Sequence, residues 1–104
     1  MSRDPAENRR FNLVLYVAGE SATSETAIAN LKKIEELFGE EVAIQVIDME
    51  TSPDQARADG VNIAPTLVRK EPTPIRKLIG DLSGHEKVIR FLKKGVDVEE
   101  EKVS

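Results

Sequence analysis

The stretch FNLVLYVAGESATSETAIANLKKIEELFGEEVAIQVID, residues 11–48, decides the fold. It opens on the run 11–18, which is nearly continuous in apolar residues, as expected of a strand buried on both faces. A helix should follow, with Ser21 as its N-cap and Gly39 as its stop. Residues 42–48 are rich in β-branched side chains and predict a second strand. A strand, a helix and a strand in so short a stretch predict a parallel βαβ unit.

The second half of the chain predicts shorter elements. Residues 52–60 suit a short helix, with Ser52 as its cap and Gly60 as its stop. Residues 63–70 and 75–80 predict two strands. A tight turn joins them, so they must be antiparallel. Within the second strand, Ile75 and Ile79 are expected on one face and Arg76 on the other.

A third helix is predicted after this hairpin. Ser83 and Glu86 match the S-x-x-E pattern of a capping box, and Gly95 is the expected stop. The element order is then βαβαββα, which is that of a thioredoxin-like α/β fold with a mixed four-stranded sheet. In that fold the peptide bond before the proline of the third strand is usually cis. We therefore predict a cis Ala64–Pro65 bond.

Composition indicates one modest domain. The chain has 104 residues, 39% hydrophobic and 33% charged, as in ordinary soluble domains. We expect a disordered N-terminal tail at 1–10, one domain at 11–95 and an acidic tail at 96–104. A net charge of −4 argues against nucleic acid as a partner. The sequence has neither a long apolar run nor a signal peptide, so we expect no membrane contact and a cytoplasmic location.

Thiol chemistry is excluded because the chain has no cysteine. Hydroxyl side chains stand where the thioredoxin-like fold carries its redox pair: Ser21, Thr23 and Ser24. The single histidine, His85, follows a predicted helix cap and is expected on the surface. Asp48 and Asp81 end strands, where a carboxylate commonly caps its own element. We therefore predict no catalytic residues, metal, cofactor or disulfide reductase activity.

Two further features have structural interpretations. Tyr16 lies in the first strand and is expected in the core. A small basic cluster lies on the predicted hairpin and comprises Arg69, Lys70, Arg76 and Lys77. Charges on an edge strand discourage pairing between sheets, and this interpretation is at least as strong as a binding patch.

Four motifs together resemble the KaiB family. They are LYVAG at 15–19, VID at 46–48, APTL at 64–67 and, most specifically, PTPIRKLIGDLS at 72–83. The resemblance runs from about residue 11 to 92. It implies a non-enzymatic regulatory domain that docks, in a thioredoxin-like state, on a KaiC-type ATPase and controls its phosphorylation or ATPase state. It also implies KaiA recruitment, or competition with the KaiB-like domain of a sensor kinase, in a clock or another timing system.

The resemblance also implies particular residues. The partner contact is expected in the segment after the second strand, at Met49, Glu50, Asp54, Ala58, Gly60, Val61, Asn62 and Ile63. Relatives usually carry a basic residue where this chain has Gly60. The family is metamorphic, with a tetrameric state and a thioredoxin-like state that differ in the C-terminal half. The residues of that region are Pro72, Pro74, Gly80, Ser83, Glu86, Phe91 and Lys93.

The oligomeric state and two alternative functions stay open from the sequence alone. The chain can be a homodimer or homotetramer, and its resting state is expected to be thioredoxin-like because nothing interrupts the helix after Glu86. A first alternative is a cysteine-free glutathione-binding domain, in which Pro65, Thr66 and Ser83 hold the ligand. A second is the separated KaiB-like input domain of a sensor histidine kinase.

Overall fold

Four strands and three helices form a single α/β unit in the computed structural model, which describes residues 10–94. The predicted tails, apart from Arg10, and the predicted stop Gly95 lie outside the described residues. A 3-10 turn at Gly39–Glu41 precedes the second strand. The strands and helices are β1 Phe11–Val17, α1 Ala22–Phe38, β2 Val42–Asp48, α2 Pro53–Ala58, β3 Thr66–Glu71, β4 Arg76–Ile79 and α3 His85–Lys93.

The strands form one mixed sheet in the order β2-β1-β3-β4. β1 is parallel to β2, with Phe11 opposite Val42, and antiparallel to β3. β3 is antiparallel to β4, with Arg69 opposite Arg76. The parallel βαβ unit and the antiparallel hairpin are therefore confirmed, and so is the thioredoxin-like order of elements.

The two faces of the sheet carry separate cores. Alternate residues of β1 point to opposite faces because successive side chains in a strand alternate. On one face, Phe11, Leu13 and Leu15 pack with apolar residues of α1 and α3, including Leu31 and Leu92. On the other face the core is smaller and combines strand residues with Ala56 of α2 and Val61 just after it: Val14, Tyr16, Ile47, Ala56, Val61 and Val68. α2 and the chain around it thus lie on the face opposite α1 and α3.

Several local predictions are confirmed. The hydroxyl of Ser21 accepts the backbone N–H of Ser24 at 3.2 Å and caps α1. Gly39, at φ +61°, ends that helix, and Gly60 follows α2 at φ +72°. The Ala64–Pro65 bond is cis, as are the bonds preceding Pro72 and Pro74.

The predicted capping box at Ser83 and Glu86 is wrong. α3 begins at His85, and its N-cap is Gly84 at φ +82°, with no side-chain cap hydrogen bond. Leu82 is 3% exposed and adopts φ +65°, so the chain turns sharply here to bury it. The N–H of Ser83 is donated to the Asp81 carboxylate at 3.0 Å, which makes a local turn in place of the box.

Two other predictions need correction. Ser52 precedes α2 but makes no side-chain cap hydrogen bond, because its ψ of 60° is outside the extended region typical of N-caps. Both hairpin strands are shorter at their starts than predicted. Ile75 and Ile79 are 53% and 61% exposed, whereas Leu78 packs against the core. Ile79 and Arg76 do lie on opposite faces of β4, as predicted, and the face with Leu78 is the one that packs on the core with α1 and α3.

Candidate partner-binding face

The segment from Met49 to Ile63, including α2, crosses one face of the sheet. It is held there by Ala56 and Val61, which are 2% and 5% exposed and belong to the core on that face. The N–H of Val61 also donates to the carbonyl of Ala56 at 2.8 Å. Val61 was predicted to contact a partner, but its side chain is buried and its role is to anchor this segment.

The other residues predicted at the partner contact are at the surface. Met49 is half-buried and packs beside the smaller core, while the rest are exposed: Glu50, Asp54, Ala58, Gly60, Asn62 and Ile63. Ile63 is 52% exposed, whereas Pro65, two residues further on, is buried. The segment thus presents a mixed apolar and acidic surface.

Strand β4 adds an apolar and a basic side chain to the same face. Ile79 and Lys77 are opposite Thr66 and Val68 in the sheet register, and Val68 points toward the α2 side. Side chains opposite each other on neighbouring strands share a face, so Lys77 and Ile79 lie beside the α2 segment. We call the exposed residues of this face, together with half-buried Met49, the docking face: Met49, Glu50, Asp54, Ala58, Gly60, Asn62, Ile63, Lys77 and Ile79.

Lys77 places a positive charge directly over Gly60. Its ammonium donates to the carbonyl of Gly60 at 3.3 Å, and a Cβ built on Gly60 would lie 2.7 Å from that nitrogen. Gly60 also has positive φ, which a glycine adopts without strain. The basic residue that the resemblance leads one to expect at Gly60 is absent, but Lys77 supplies a cation at that place in space. Sequence spacing did not indicate this, because 17 residues separate the two.

A hydrogen-bonded network joins the docking face to the sheet. The Tyr16 hydroxyl donates to one oxygen of Asp59 at 2.5 Å, and the Lys70 ammonium donates to the other at 2.6 Å. Tyr16 is fully buried, as predicted. No sequence pattern connects Asp59 to either residue, since 43 and 11 positions separate it from Tyr16 and Lys70. The network joins β1 and β3 to the end of α2 and fixes the position of the segment.

The network shifts the pKa values of two of its members. Burial raises the pKa of the Tyr16 phenol, and the hydrogen bond to Asp59 and its negative charge raise it further. Burial alone would raise the pKa of Asp59. The hydrogen bonds from Lys70 and Tyr16, with the charges of Lys70 and Lys77, outweigh that effect and lower it. Asp59 is therefore ionised throughout the neutral range.

Replacing Asp59 by asparagine should change how stability depends on pH. Asp59 has a lowered pKa in the folded state. Its contribution is therefore complete above the ordinary pKa of 3.8 and is lost as pH falls through the folded value. At pH near 7 we expect Asp59→Asn to cost about 1–3 kcal/mol, since hydrogen bonds to a charged group are lost. The difference from the unmodified chain should shrink in acid.

Urea unfolding at several pH values checks this expectation, and Asp54→Asn is the matched control. The Asp54 side chain is 92% exposed and pairs with Arg57 on the surface of α2. Its replacement should cost less than about 1 kcal/mol. If both variants gave the same pH profile, the network would not stabilise the fold as described.

The side chains that might suggest catalysis either hold backbone N–H groups or lie apart at the surface. The Asp48 carboxylate accepts the N–H groups of Gly19 and Glu50 at 3.1 and 2.9 Å. The Asp81 carboxylate accepts that of Ser83 at 3.0 Å. His85 is exposed at the start of α3, as predicted. Within residues 10–94 no group of three or more His, Cys, Asp or Glu side chains is placed to hold a metal ion.

The residues where a redox pair would lie are also structural. Ser24 is 1% exposed, and its hydroxyl accepts the N–H of Ala18 at 3.1 Å. Pro65 and Thr66, named for the glutathione alternative, are buried. The Pro65 carbonyl accepts the N–H of Gly80 at 3.0 Å, and the Thr66 hydroxyl donates to Ile63 at 2.6 Å. These contacts fix the loop beside the docking face.

The residues of the predicted basic cluster on the hairpin differ in burial and in the position of their strand within the sheet. Arg69 is fully buried, so its placement in a surface cluster was wrong. β3 is an inner strand, and the Arg69 guanidinium donates to the carbonyls of Pro74, Leu92 and Lys94, each at 2.7 Å. Arg76, by contrast, lies on the edge strand β4.

The residues assigned to a fold-switch region lie on one connected stretch. Pro72 and Pro74 form the turn between β3 and β4, and Gly80 directly follows β4. Ser83 lies in the turn before α3, and three residues lie within the helix: Glu86, Phe91 and Lys93. Phe91 helps to pack the helix against the core. Across residues 10–94, no helix has the length and apolar character needed to span a bilayer.

Comparison with known proteins gives one family and one fold. The model of the KaiB domain matches residues 14–94. The circadian clock oscillator protein KaiB of Microcystis aeruginosa is 44% identical over 82 residues, which cover 78% of this chain and 79% of that protein.

Two solved structures are similar in fold. The N-terminal domain of Synechococcus elongatus SasA has a TM-score of 0.66 at 19% identity, covering 92% of this chain and 96% of that one. Mitochondrial thioredoxin 3 of Saccharomyces cerevisiae has a TM-score of 0.69 at 20% identity, covering 83% and 79%. Likeness at such low identity establishes the thioredoxin-like fold and nothing finer.

Proposed function

Because this chain belongs to the KaiB family, we propose that it is a non-enzymatic regulatory protein that docks on a KaiC-type ATPase. Docking takes place in the thioredoxin-like arrangement and through the docking face. It changes the phosphorylation or ATPase state of the partner, as part of a clock or another timing system. The protein itself supplies surface contacts and no chemistry.

The observation that supports this proposal most strongly is the composition of the docking face. Ile63 and Ile79 are 52% and 61% exposed, and Ile79 lies two residues from Lys77 on the same face of β4. Exposed apolar side chains beside a few charges are typical of a protein-binding surface, where the apolar centre supplies most of the binding energy. The Asp59 network below and the anchor at Val61 hold this surface in place before the partner arrives.

Further partners and states belong to the same proposal. KaiA, or the KaiB-like domain of a sensor kinase, would meet the chain once it is docked, or compete with it for the ATPase. The region from Pro72 to Lys93 would be rebuilt in a second, tetrameric arrangement. We propose that the thioredoxin-like arrangement is the resting one, since α3 buries Val88 and Leu92 fully on the sheet. A resting state that can already bind the ATPase also raises the apparent affinity, because no fraction of the molecules has to rearrange first.

Replacing Ile63 by glutamate should weaken binding to a KaiC-type ATPase about 30-fold or more, because a charge would enter the apolar centre of the contact. The measurement is isothermal titration of the full chain against the purified ATPase, with ATP hydrolysis followed in parallel. Leu37→Glu is the matched control. Leu37 is 64% exposed on α1, on the opposite side of the sheet, and receives the same change in charge.

The control variant should bind within about twofold of the unmodified chain, since its substitution is remote from the docking face. Equal loss in both variants would contradict the assignment of the face. An unmodified chain that neither binds the ATPase nor alters its hydrolysis rate would contradict the proposed function itself.

A further inference from the structure

A basic groove lies between β4 and α3. It encloses about 810 Å³ and is open to solvent along one side. Six of its ten lining residues are cations, and the other four are apolar. The cations are Arg76, Lys77, Lys87, Arg90, Lys93 and Lys94. The Lys77 ammonium is bonded to the Gly60 carbonyl on the docking face, so the other five supply the charge of the groove. This concentration is notable in a chain whose net charge is −4.

A buried arginine increases the positive charge of this region. Arg69 is fully buried and is opposite Arg76 in the sheet register, so two like charges face each other across neighbouring strands. The hydrogen bonds of Arg69 go to backbone carbonyls of Pro74, Leu92 and Lys94. Its Nε has no partner in the described part of the chain. The guanidinium thus links both walls of the groove, and among residues 10–94 its hydrogen bonds go to backbone carbonyls rather than to a carboxylate.

The apolar part of the groove is continuous with the core. Leu78, Ile89 and Phe91 line it and are each half-buried, because they also pack against the core formed with α1 and α3. β4 is an edge strand of the sheet, so this wall is accessible from outside. An occupant would therefore meet apolar surface at the centre and cations around it, which is the usual anatomy of a protein-binding groove.

We propose that the β4–α3 groove binds a short acidic segment of a protein partner, with one or two apolar side chains between its carboxylates. The carboxylates would pair with the cations, Arg76 and Arg90 among them, and the apolar side chains would rest on Ile89 and Phe91. Charge complementarity of this kind favours fast association and rejects basic partners. The site is distinct from the docking face except at Lys77, and its existence does not depend on binding to the ATPase.

A nucleic acid would fit these observations less well. Binding of single strands relies on aromatic side chains on which bases stack. Phe91 is the aromatic residue of the groove, and it is half-buried and occupied by core contacts. The negative charge of the rest of the chain would also repel a long polyanion, whereas a short acidic segment meets only the groove.

The test is fluorescence anisotropy with the full chain and a short labelled peptide in which glutamates flank a central leucine and phenylalanine. A second peptide carries glutamine in place of those two apolar residues. We expect the first peptide to bind about tenfold more tightly than the second. Affinity should fall as salt is added, since part of it is electrostatic.

The groove is located with charge variants. Arg90→Glu with Lys94→Glu should weaken binding of the first peptide about tenfold or more, because two favourable charges become unfavourable. Lys32→Glu with Lys33→Glu makes the same change in net charge on exposed positions of α1 and should stay within about twofold. A neutral pair, Arg90→Gln with Lys94→Gln, should give an intermediate loss and serves if the first pair disturbs folding.

Three results would overturn the proposal. The first is no binding of the first peptide by the unmodified chain. The second is an equal loss of affinity in the groove and α1 variants, which would indicate a nonspecific charge effect. The third is tighter binding of a short oligothymidylate that displaces the peptide, which would make the groove a nucleic-acid site.

Discussion

Replacement of Arg69 by alanine is expected to lower the free energy of unfolding by about 3–5 kcal/mol. The guanidinium is fully buried and joins β3 to the proline turn and to the end of α3 through Pro74, Leu92 and Lys94. Its removal leaves three carbonyl acceptors without this donor and creates a cavity. Arg69→Lys should recover only part of the loss, since an ammonium is a compact donor without the planar fork that reaches several acceptors.

Urea unfolding followed by circular dichroism measures the change, with Arg76→Ala as the matched control. Arg76 is half-buried opposite Arg69. Its removal relieves a cross-strand repulsion and should change stability by less than about 1 kcal/mol. An Arg69→Ala variant as stable as this control would mean that Arg69 does not hold the hairpin to α3.

Replacement of Leu92 by alanine is expected to cost about 2–5 kcal/mol, the range for a leucine removed from a packed core. Leu92 is fully buried where α3 lies on the sheet, in the same core as Leu31 and Val88. Leu37→Ala is the matched control, because Leu37 is a helical leucine that is 64% exposed. It should cost less than about 0.5 kcal/mol.

The Leu92 comparison also tests the placement of α3. The thioredoxin-like arrangement needs this helix on the sheet, and two arrangements of one sequence can differ by only a few kcal/mol. Loss of Leu92 should therefore weaken this arrangement selectively. Thermal unfolding measures the two leucine variants in parallel. Equal costs for the two substitutions would be inconsistent with the burial of Leu92.

The sequence predicted best what depends on neighbouring residues. The cap at Ser21 and the helix stop at Gly39 follow from local backbone hydrogen bonding, and both are confirmed. The strands are also recognisable from the sequence. A nearly continuous apolar run such as 11–18 is typical of a buried strand and is longer than the apolar runs of exposed segments. The same local reasoning failed at Ser83. Burial of Leu82 in the distant core sets the chain direction there and overrides the S-x-x-E pattern.

The site could be predicted only in part for a similar reason. The motif resemblance located the surface segment from Met49 to Ile63, but Asp59 and Lys77 act through contacts far along the chain. Asp59 bonds to Tyr16 across 43 residues, and no periodicity indicates such a pair. Arg69 was assigned to a basic cluster on the hairpin, either as a charge at the sheet edge or as part of a binding patch. Its burial results from contact with α3 and the residue that follows it, where the Leu92 and Lys94 carbonyls accept its hydrogen bonds, and no sequence pattern indicates that contact.

Hydrogen exchange followed by mass spectrometry, with and without a KaiC-type ATPase, tests the central claim most directly. The amides of the free chain should be protected in β4, Arg76–Ile79, and α3, His85–Lys93, as this arrangement requires. Addition of the ATPase should then slow exchange mainly in residues 49–63, with little change in the outer turns of α1. Protection centred on α1, or none in 49–63, would contradict docking through this face.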